Sequence, residues 1–197
     1  MTNRILLGIL LLSTSACRQE PPAQATSPTI VAAKPTGSPT TAIHDFLTWY
    51  EQHQTQLNSL PVVPAALDED TTNVYAVDFR AVEDYLRLLN SSRGISSTYL
   101  QAQRHYFQQC QDSLRAYPQT DGLVEGLDYD RFLYTQAGDE QTRLVLRSKP
   151  ASVVIRADTA QVIYRWREDQ LSEGPNLAFS LAVEQGRWLI KAIRRHE

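Results

Sequence analysis

The chain has 197 residues, of which 42% are hydrophobic and 21% charged, an ordinary globular mixture that leaves room for one domain beyond its N-terminal segment. Its formal charge is −3; the first forty residues hold Arg4, Arg18 and Lys34 against Glu20, so the remainder has 16 basic and 21 acidic residues and carries −5. A mildly acidic domain gives no reason to invoke nucleic acid, which needs a basic footprint, so no nucleic-acid partner is expected.

At the N-terminus Arg4 precedes an apolar run from Ile5 to Leu12, and Ser13, Thr14, Ser15 and Ala16 lead into Cys17. A run of about 8 apolar residues is far below the roughly 20 that span a bilayer as a helix. Followed by small residues, it has the pattern of a removed export signal. The stretch "STSAC" resembles the lipobox of bacterial lipoproteins, with Thr14 where that motif usually carries Leu. The resemblance implies cleavage before Cys17 and acylation of its sulfur, so residues 1–16 are the expected signal peptide. Residues 17–40 are the expected tether: Pro21, Pro22, Pro28, Pro35 and Pro39 lie among Ala, Thr, Ser and Gln, with little to bury. At ~3.1 Å per residue such a segment reaches roughly 70 Å when extended. With Cys17 lipidated, Cys110 has no partner for an internal disulfide.

Residues 41–197 read as one domain in two halves, helices first. In "TTAIHDFLTWYEQHQTQLNSL" the apolar residues Ile43, Phe46, Leu47, Tyr50 and Leu57 form a one-sided helical stripe. Thr40 or Thr41 is the expected cap, Asp45 falls in the expected first turn, and Pro61 and Pro64 end the helix. "VDFRAVEDYLRLLNSSRG" repeats the pattern with Asp78 as cap, Phe79, Val82, Leu86 and Leu89 on one face, and Gly94 closing it. A third helix starts at Ser96 or Ser97 and runs to about Tyr117, before Pro118. Its stripe of Leu100, Phe107, Cys110 and Leu114 makes Cys110 a small core hydrophobe.

Beyond a Gly-containing loop the rhythm shortens to period two. Leu144 and Leu146 alternate with Arg143, Val145 and Arg147, which predicts a strand. "ASVVIRA", "AQVIYRWR", "NLAFSLAVE" and "RWLIKAIRR" follow, each of strand length and β-branched or aromatic in bias. Short turn signals at Asp158-Thr159 and Gln185-Gly186 require antiparallel neighbours. The expected class is therefore α+β, with N-terminal helices covering one face of an antiparallel meander.

"FLTWY", "GLDYDRFLYTQ" and "VEQGRWLIKAIRR" together resemble the DUF3828 group of small bacterial envelope lipoproteins, and more broadly the NTF2-like and cystatin-like α+β folds. The resemblance runs in order through most of residues 43–195. It implies a curved sheet around a cone-shaped cavity and assigns no activity.

No H-E-x-x-H, C-x-x-C, G-x-S-x-G, phosphate-binding Gly-rich loop or EF-hand pattern is present, and no cofactor or metal is expected. Asp128 and Asp130, near Asp121 and Glu125, are placed to hold a cation or share a proton, or else to fix a turn through backbone N–H groups. The turn is the favoured reading. His105 stands five residues before Cys110, off the cysteine's face and without the spacing of a zinc pair. The arginines are the most suggestive group. Arg143 and Arg147 share one face of their expected strand, Arg165 and Arg167 share one face of theirs, and Arg195 ends the last strand. Aligned, they would form a face for an anionic ligand or an acidic protein partner, because arginine forks match carboxylates and phosphates. Otherwise they belong to a water-facing sheet surface with cross-strand pairs to Glu168 or Glu184, which is the favoured reading.

The leading expectation is a non-enzymatic binding or interaction module, held by its N-terminal lipid at the bacterial outer membrane, on the periplasmic or surface side. The alternative is an NTF2-like enzyme, an isomerase, dehydratase or hydrolase, with Asp128, Asp130, His105 and Tyr134 as its acid and base groups. A third is an immunity-type inhibitor of a secreted toxin.

Overall fold

The computed structural model describes residues 35–63, 74–124, 126–166 and 175–197; Cys17, Pro64, Glu125 and Arg167 lie outside the described residues. Four helices precede four strands: α1 (Pro39–Asn58), α2 (Phe79–Ser91), α3 (Ser97–Ala116), α4 (Gly138–Arg147), β1 (Ser152–Arg156), β2 (Thr159–Tyr164), β3 (Leu177–Glu184) and β4 (Arg187–Arg195). The expected α+β class, helices before an antiparallel meander, is what the chain adopts. Among the described residues no helix is long and apolar enough to cross a membrane.

The cap of α1 is Ser38 rather than Thr40 or Thr41. Its hydroxyl accepts the Thr41 N–H at 3.1 Å, and Pro39 opens the helix, where a missing N–H costs nothing. The earlier start leaves no acidic residue in the first turn, so Asp45 lies beyond it. Ile43, Phe46, Leu47, Tyr50 and Leu57 are buried, as their spacing predicts. Asp78 caps α2 by accepting from Arg80 and Ala81 N–H, and Val82, Leu86 and Leu89 are buried, whereas Phe79 at the helix start stays 37% exposed.

Gly94 does not close α2. The helix ends at Ser91, and Arg93 takes the left-handed conformation with φ 55°. Glycine is needed at 94 for proximity, since a Cβ there would come within 2.9 Å of Phe46 Cβ. Ser96 caps α3, and Tyr117 and Pro118 follow its end. Cys110 is free and buried.

Residues 143–147, expected as a strand, belong to α4. Gly138, Gln141, Thr142, Leu144 and Val145 are its buried positions, a helical spacing. Arg143 and Arg147 are four apart, which fits one helix face as well as alternation in a strand, and the short apolar run did not discriminate. Asp139 and Glu140 in the first turn and Arg147 in the last suit the helix dipole.

The sheet order is β1-β2-β3-β4, all antiparallel. The β3–β4 turn holds Gln185 at φ 51° and Gly186 at φ 74°, the positive pair that a tight hairpin needs. Ser180 faces Ala192 while Leu181 faces Ile190, so Lys191 is an extra residue in a bulge. Val162, Tyr164, Leu177, Phe179, Leu181 and Ile190 turn inward and are fully buried or nearly so. The helices close over them: α1 packs on α4 and β4, and α3 packs on α2 and β4.

Candidate functional site

On the helix side a cleft of about 640 Å³ opens between α1, α3 and the segment that leads into α4. Its volume lies in the range of small-molecule sites. Its wall is mostly apolar and aromatic, with Tyr50, Tyr85, Phe107 and Phe132 prominent, and its polar contributions include Gln54, Asp128, Asp130 and Arg131.

The segment 126–137 is shaped by Asp130. One carboxylate oxygen, Oδ1, accepts the N–H groups of Phe132 (2.9 Å) and Leu133 (2.8 Å). The backbone of Asp130 exchanges further bonds: its N–H donates to Thr135 O at 2.8 Å and its carbonyl accepts Tyr134 N–H at 2.8 Å. The turn drives Phe132 and Leu133 into the core and holds Tyr134 at φ 56°. The other oxygen, Oδ2, accepts a short hydrogen bond from the Tyr50 hydroxyl on α1. Phe132 packs edge-on against Phe46 and Tyr50, with centroids at 5.8 and 4.9 Å. The turn is thereby pinned to α1 by one polar bond and one aromatic cluster.

Burial pushes the Asp130 carboxyl above the usual carboxylate range, against the opposing effects of the Tyr50 hydroxyl, the Leu133 and Phe132 N–H groups and Arg131. Burial, and then the neighbouring Asp130 charge, drive the Tyr50 phenol far above its ordinary value. Tyr85 and Tyr99, deeper in the same cluster, are raised by burial as well.

Arg131, one residue on, is half-buried. Its guanidinium lies over the Tyr106 ring, 3.2 Å from the centroid, in cation–π contact. The Gln103 carbonyl oxygen accepts from Nε at 3.2 Å and from Nη2 at 3.1 Å. Gly126 O accepts from the Tyr106 hydroxyl at 2.7 Å and more distantly from Nη1 at 3.5 Å. Gly126 sits at φ 82°, and a Cβ there would meet the Tyr106 hydroxyl at 2.5 Å, so this approach requires glycine. None of the ion pairs among the described residues includes Arg131. The guanidinium therefore keeps N–H donors beyond those engaged by Gln103 and Gly126.

Of the four acid–base candidates, the fold brings Asp128 and Asp130 to this cleft. Asp128 is exposed, and Asp130 serves the turn. His105 is exposed on α3, and the Tyr134 hydroxyl donates to Ile193 O on β4 at 2.9 Å. Among the described residues no group of three His, Cys, Asp or Glu side chains is placed to hold a metal ion.

The arginines do not share a strand face. Arg143 and Arg147 belong to α4, where Arg143 pairs with Asp139 at 2.6 Å. Arg165, just past β2, donates to His196 Nε2 at 2.9 Å. Arg195 lies opposite Leu177, which lies opposite Tyr164, so the register turns Arg195 and Arg165 to opposite faces. The outer face of the sheet gathers other cations: Arg156, Lys191 and Arg194 surround a shallow trough of about 560 Å³ over Gln161, Ser180 and Ala192.

Sequence reading missed Arg131 and Tyr50 as site residues. Arg131 stands inside "GLDYDRFLYTQ", but nothing local distinguishes a cation folded back over an aromatic ring from one in water. Tyr50 reads only as one more residue of the α1 stripe. Set against known proteins, the chain matches no family model, no curated protein and no solved structure.

Proposed function

We propose that this chain is a DUF3828-like envelope lipoprotein, tethered to the membrane through acylated Cys17, whose domain is a non-enzymatic binding module. Its helix-side cleft takes a small ligand with an apolar or aromatic body and an anionic group directed to Arg131. The observation that carries this reading is the unequal engagement of two neighbours. Asp130 has both oxygens occupied by donors of the fold, whereas Arg131 enters no ion pair among the described residues and lines the cleft. A general acid or base must reach a substrate proton, and Asp130 is committed elsewhere. An arginine on an aromatic floor suits a carboxylate or phosphate carried on an apolar body.

Native mass spectrometry of the protein taken gently from its own envelope tests the cleft. A reproducible small adduct is expected, retained in Arg131→Lys and lost in Arg131→Gln. A bare mass in the native protein, or an adduct indifferent to Arg131→Gln, would refute the proposal. The tether has a separate test: Cys17→Ala should abolish labelling by radioactive palmitate, and continued labelling would sink that assignment.

A second reading places an acidic protein partner on the outer trough, where Arg156, Lys191 and Arg194 meet no acidic residue among the described lining. Reversing Lys191 and Arg194 to Glu should then abolish capture of that partner while leaving the small adduct in place.

A further inference from the structure

The two edges of the sheet are finished differently. Along β4, Thr36 bridges Arg187 and Ile95 bridges Ile190. These contacts use real hydrogen bonds, with Ser96 N–H donating to Ile190 O at 3.0 Å and Ile190 N–H to Gly94 O at 2.9 Å. At the opposite end β1 pairs with β2 alone among the described residues. Unpaired edges template further pairing, and proteins that stay single blunt them with charge, proline or a bulge inside the strand. The middle of β1 carries none of these. It is Val153-Val154-Ile155, exposed by 43, 43 and 54%, three of the seven large hydrophobics exposed among the described residues.

The direction of the free backbone groups follows from the hairpin. A two-residue turn, Ala157-Asp158, closes on the Arg156–Thr159 pair. Such a turn closes on a pair that exchanges both hydrogen bonds, and bonded pairs then alternate along the ladder. Arg156, Val154 and Ser152 thus address β2, and the Ala151 N–H reaching Ile163 O at 2.7 Å, opposite Ser152, agrees with that phase. Val153 and Ile155 turn their N–H and C=O groups outward.

We propose that β1 is a self-pairing edge, and that two copies of this chain join β1 to β1, antiparallel, about a two-fold axis through Val154. The strand is complementary to itself in this register. Val153 falls opposite Ile155 twice, and these are the residues whose backbone groups are free. Val153 and Ile155 of both copies form one apolar cluster on the helix side, and Val154 meets Val154 on the other side. Arg156 faces Ser152 of the partner strand, so no like charges stand opposite each other. The two four-stranded sheets become one continuous sheet, and the exposed run is covered. A second copy, unlike a foreign strand, satisfies every one of these pairings with residues already present.

The test uses the full chain with Cys17→Ala, leaving buried Cys110 as the remaining cysteine. Val154→Cys sets two thiols in a non-hydrogen-bonded pair at the axis, with Cα atoms about 4.5 Å apart, inside the span of a disulfide. Val153→Cys sets its thiols on a diagonal of roughly 7–8 Å or more, outside that span. Under mild oxidation Val154→Cys should give a linked dimer and Val153→Cys should not. Equal linking of both variants, or none at 154, would overturn the register. Sedimentation equilibrium of the Cys17→Ala chain should show a concentration-dependent dimer, and Val154→Lys should weaken it by roughly tenfold or more. A chain that stays monomeric at every concentration, or that pairs only with a different protein, would overturn the proposal itself.

Discussion

Tyr50 on α1 donates its hydroxyl to the carboxylate of Asp130, eighty positions later in the chain. The bond supplies a contact that helix periodicity and turn chemistry leave open, because it ties the turn before α4 to the first helix. Its loss should be costly. Tyr50→Phe strips a buried carboxylate oxygen of its donor and is expected to destabilise the domain by about 1–3 kcal/mol. For a domain of this size that is roughly 2–4 °C in Tm for each kcal/mol. Asp130→Asn added to Tyr50→Phe should recover part of the loss, and the four proteins of this cycle measure the coupling. A coupling indistinguishable from zero would contradict the assignment.

The same carboxyl gives a signed dependence on acid. Burial raises Asp130 above its unfolded value, so the folded chain holds the proton more tightly than the unfolded chain. Its contribution to stability is present below the unfolded pKa, roughly 4, and is lost as pH rises through the raised folded value. Asp130→Asn cannot titrate and should flatten that decline in urea titrations across mildly acidic pH. A parallel decline in both proteins would show that Asp130 is not responsible.

At the alkaline end the tyrosines act together. Tyr50, Tyr85 and Tyr99 are raised by burial, and Tyr164 is pushed up to about 12. Groups raised in the folded state contribute fully below their unfolded pKa of roughly 10, and the contribution is lost as pH climbs through the folded values. Stability should fall steeply above that point, with the ultraviolet signal of these four phenolates appearing in the same step as loss of circular dichroism. Gradual ionisation of these four within an intact fold would refute it.

Gly138 opens α4 directly against the Asp130 carboxylate. A Cβ at this position would overlap Asp130 Oδ2 and approach Gln54 Nε2 to 2.9 Å. Gly138→Ala should cost about 1–3 kcal/mol through overpacking, despite alanine's better helix propensity. Gly94→Ala, which forces Phe46 away, should cost a similar amount. Chemical denaturation of both variants checks this, and a stabilised Gly138→Ala would mean that α4 is free to move.

Cys110 is buried, and its thiol is raised by burial against the effects of Tyr106 and Arg131. In a Cys17→Ala chain, alkylation of Cys110 should be slower than in the unfolded chain by on the order of a hundredfold or more, and should accelerate with denaturant. Rapid labelling of the folded protein would place the thiol outside the core.

Much of the fold was legible because each of its elements declares a face. The stripes of α1, α2 and α3, the Asp78 and Ser96 caps, the alternation Val162, Tyr164, Trp166 and the Gln185-Gly186 turn depend on neighbours within a few positions. The stretch 138–147 was not legible, because four-residue spacing of arginines and two-residue spacing of leucines coexist there. Burial of Gln141 and Thr142 decided the outcome, and polar residues give no hydrophobic signal. The basic surface was misplaced for a related reason: an arginine's face is set by strand register and by the Lys191 bulge, which local composition does not encode.

By itself, then, the sequence determined the class of fold, the first three helices, the four strands of the antiparallel meander and the burial of Cys110, all consequences of local periodicity and turn chemistry. Only the tertiary structure decided that Asp130 belongs to Tyr50 and the turn, that Arg131 lies on Tyr106, and that β1 pairs with β2 alone among the described residues. These depend on which distant segments pack together. Contacts between residues far apart in the chain are selected by the whole core at once, not by any stretch within it.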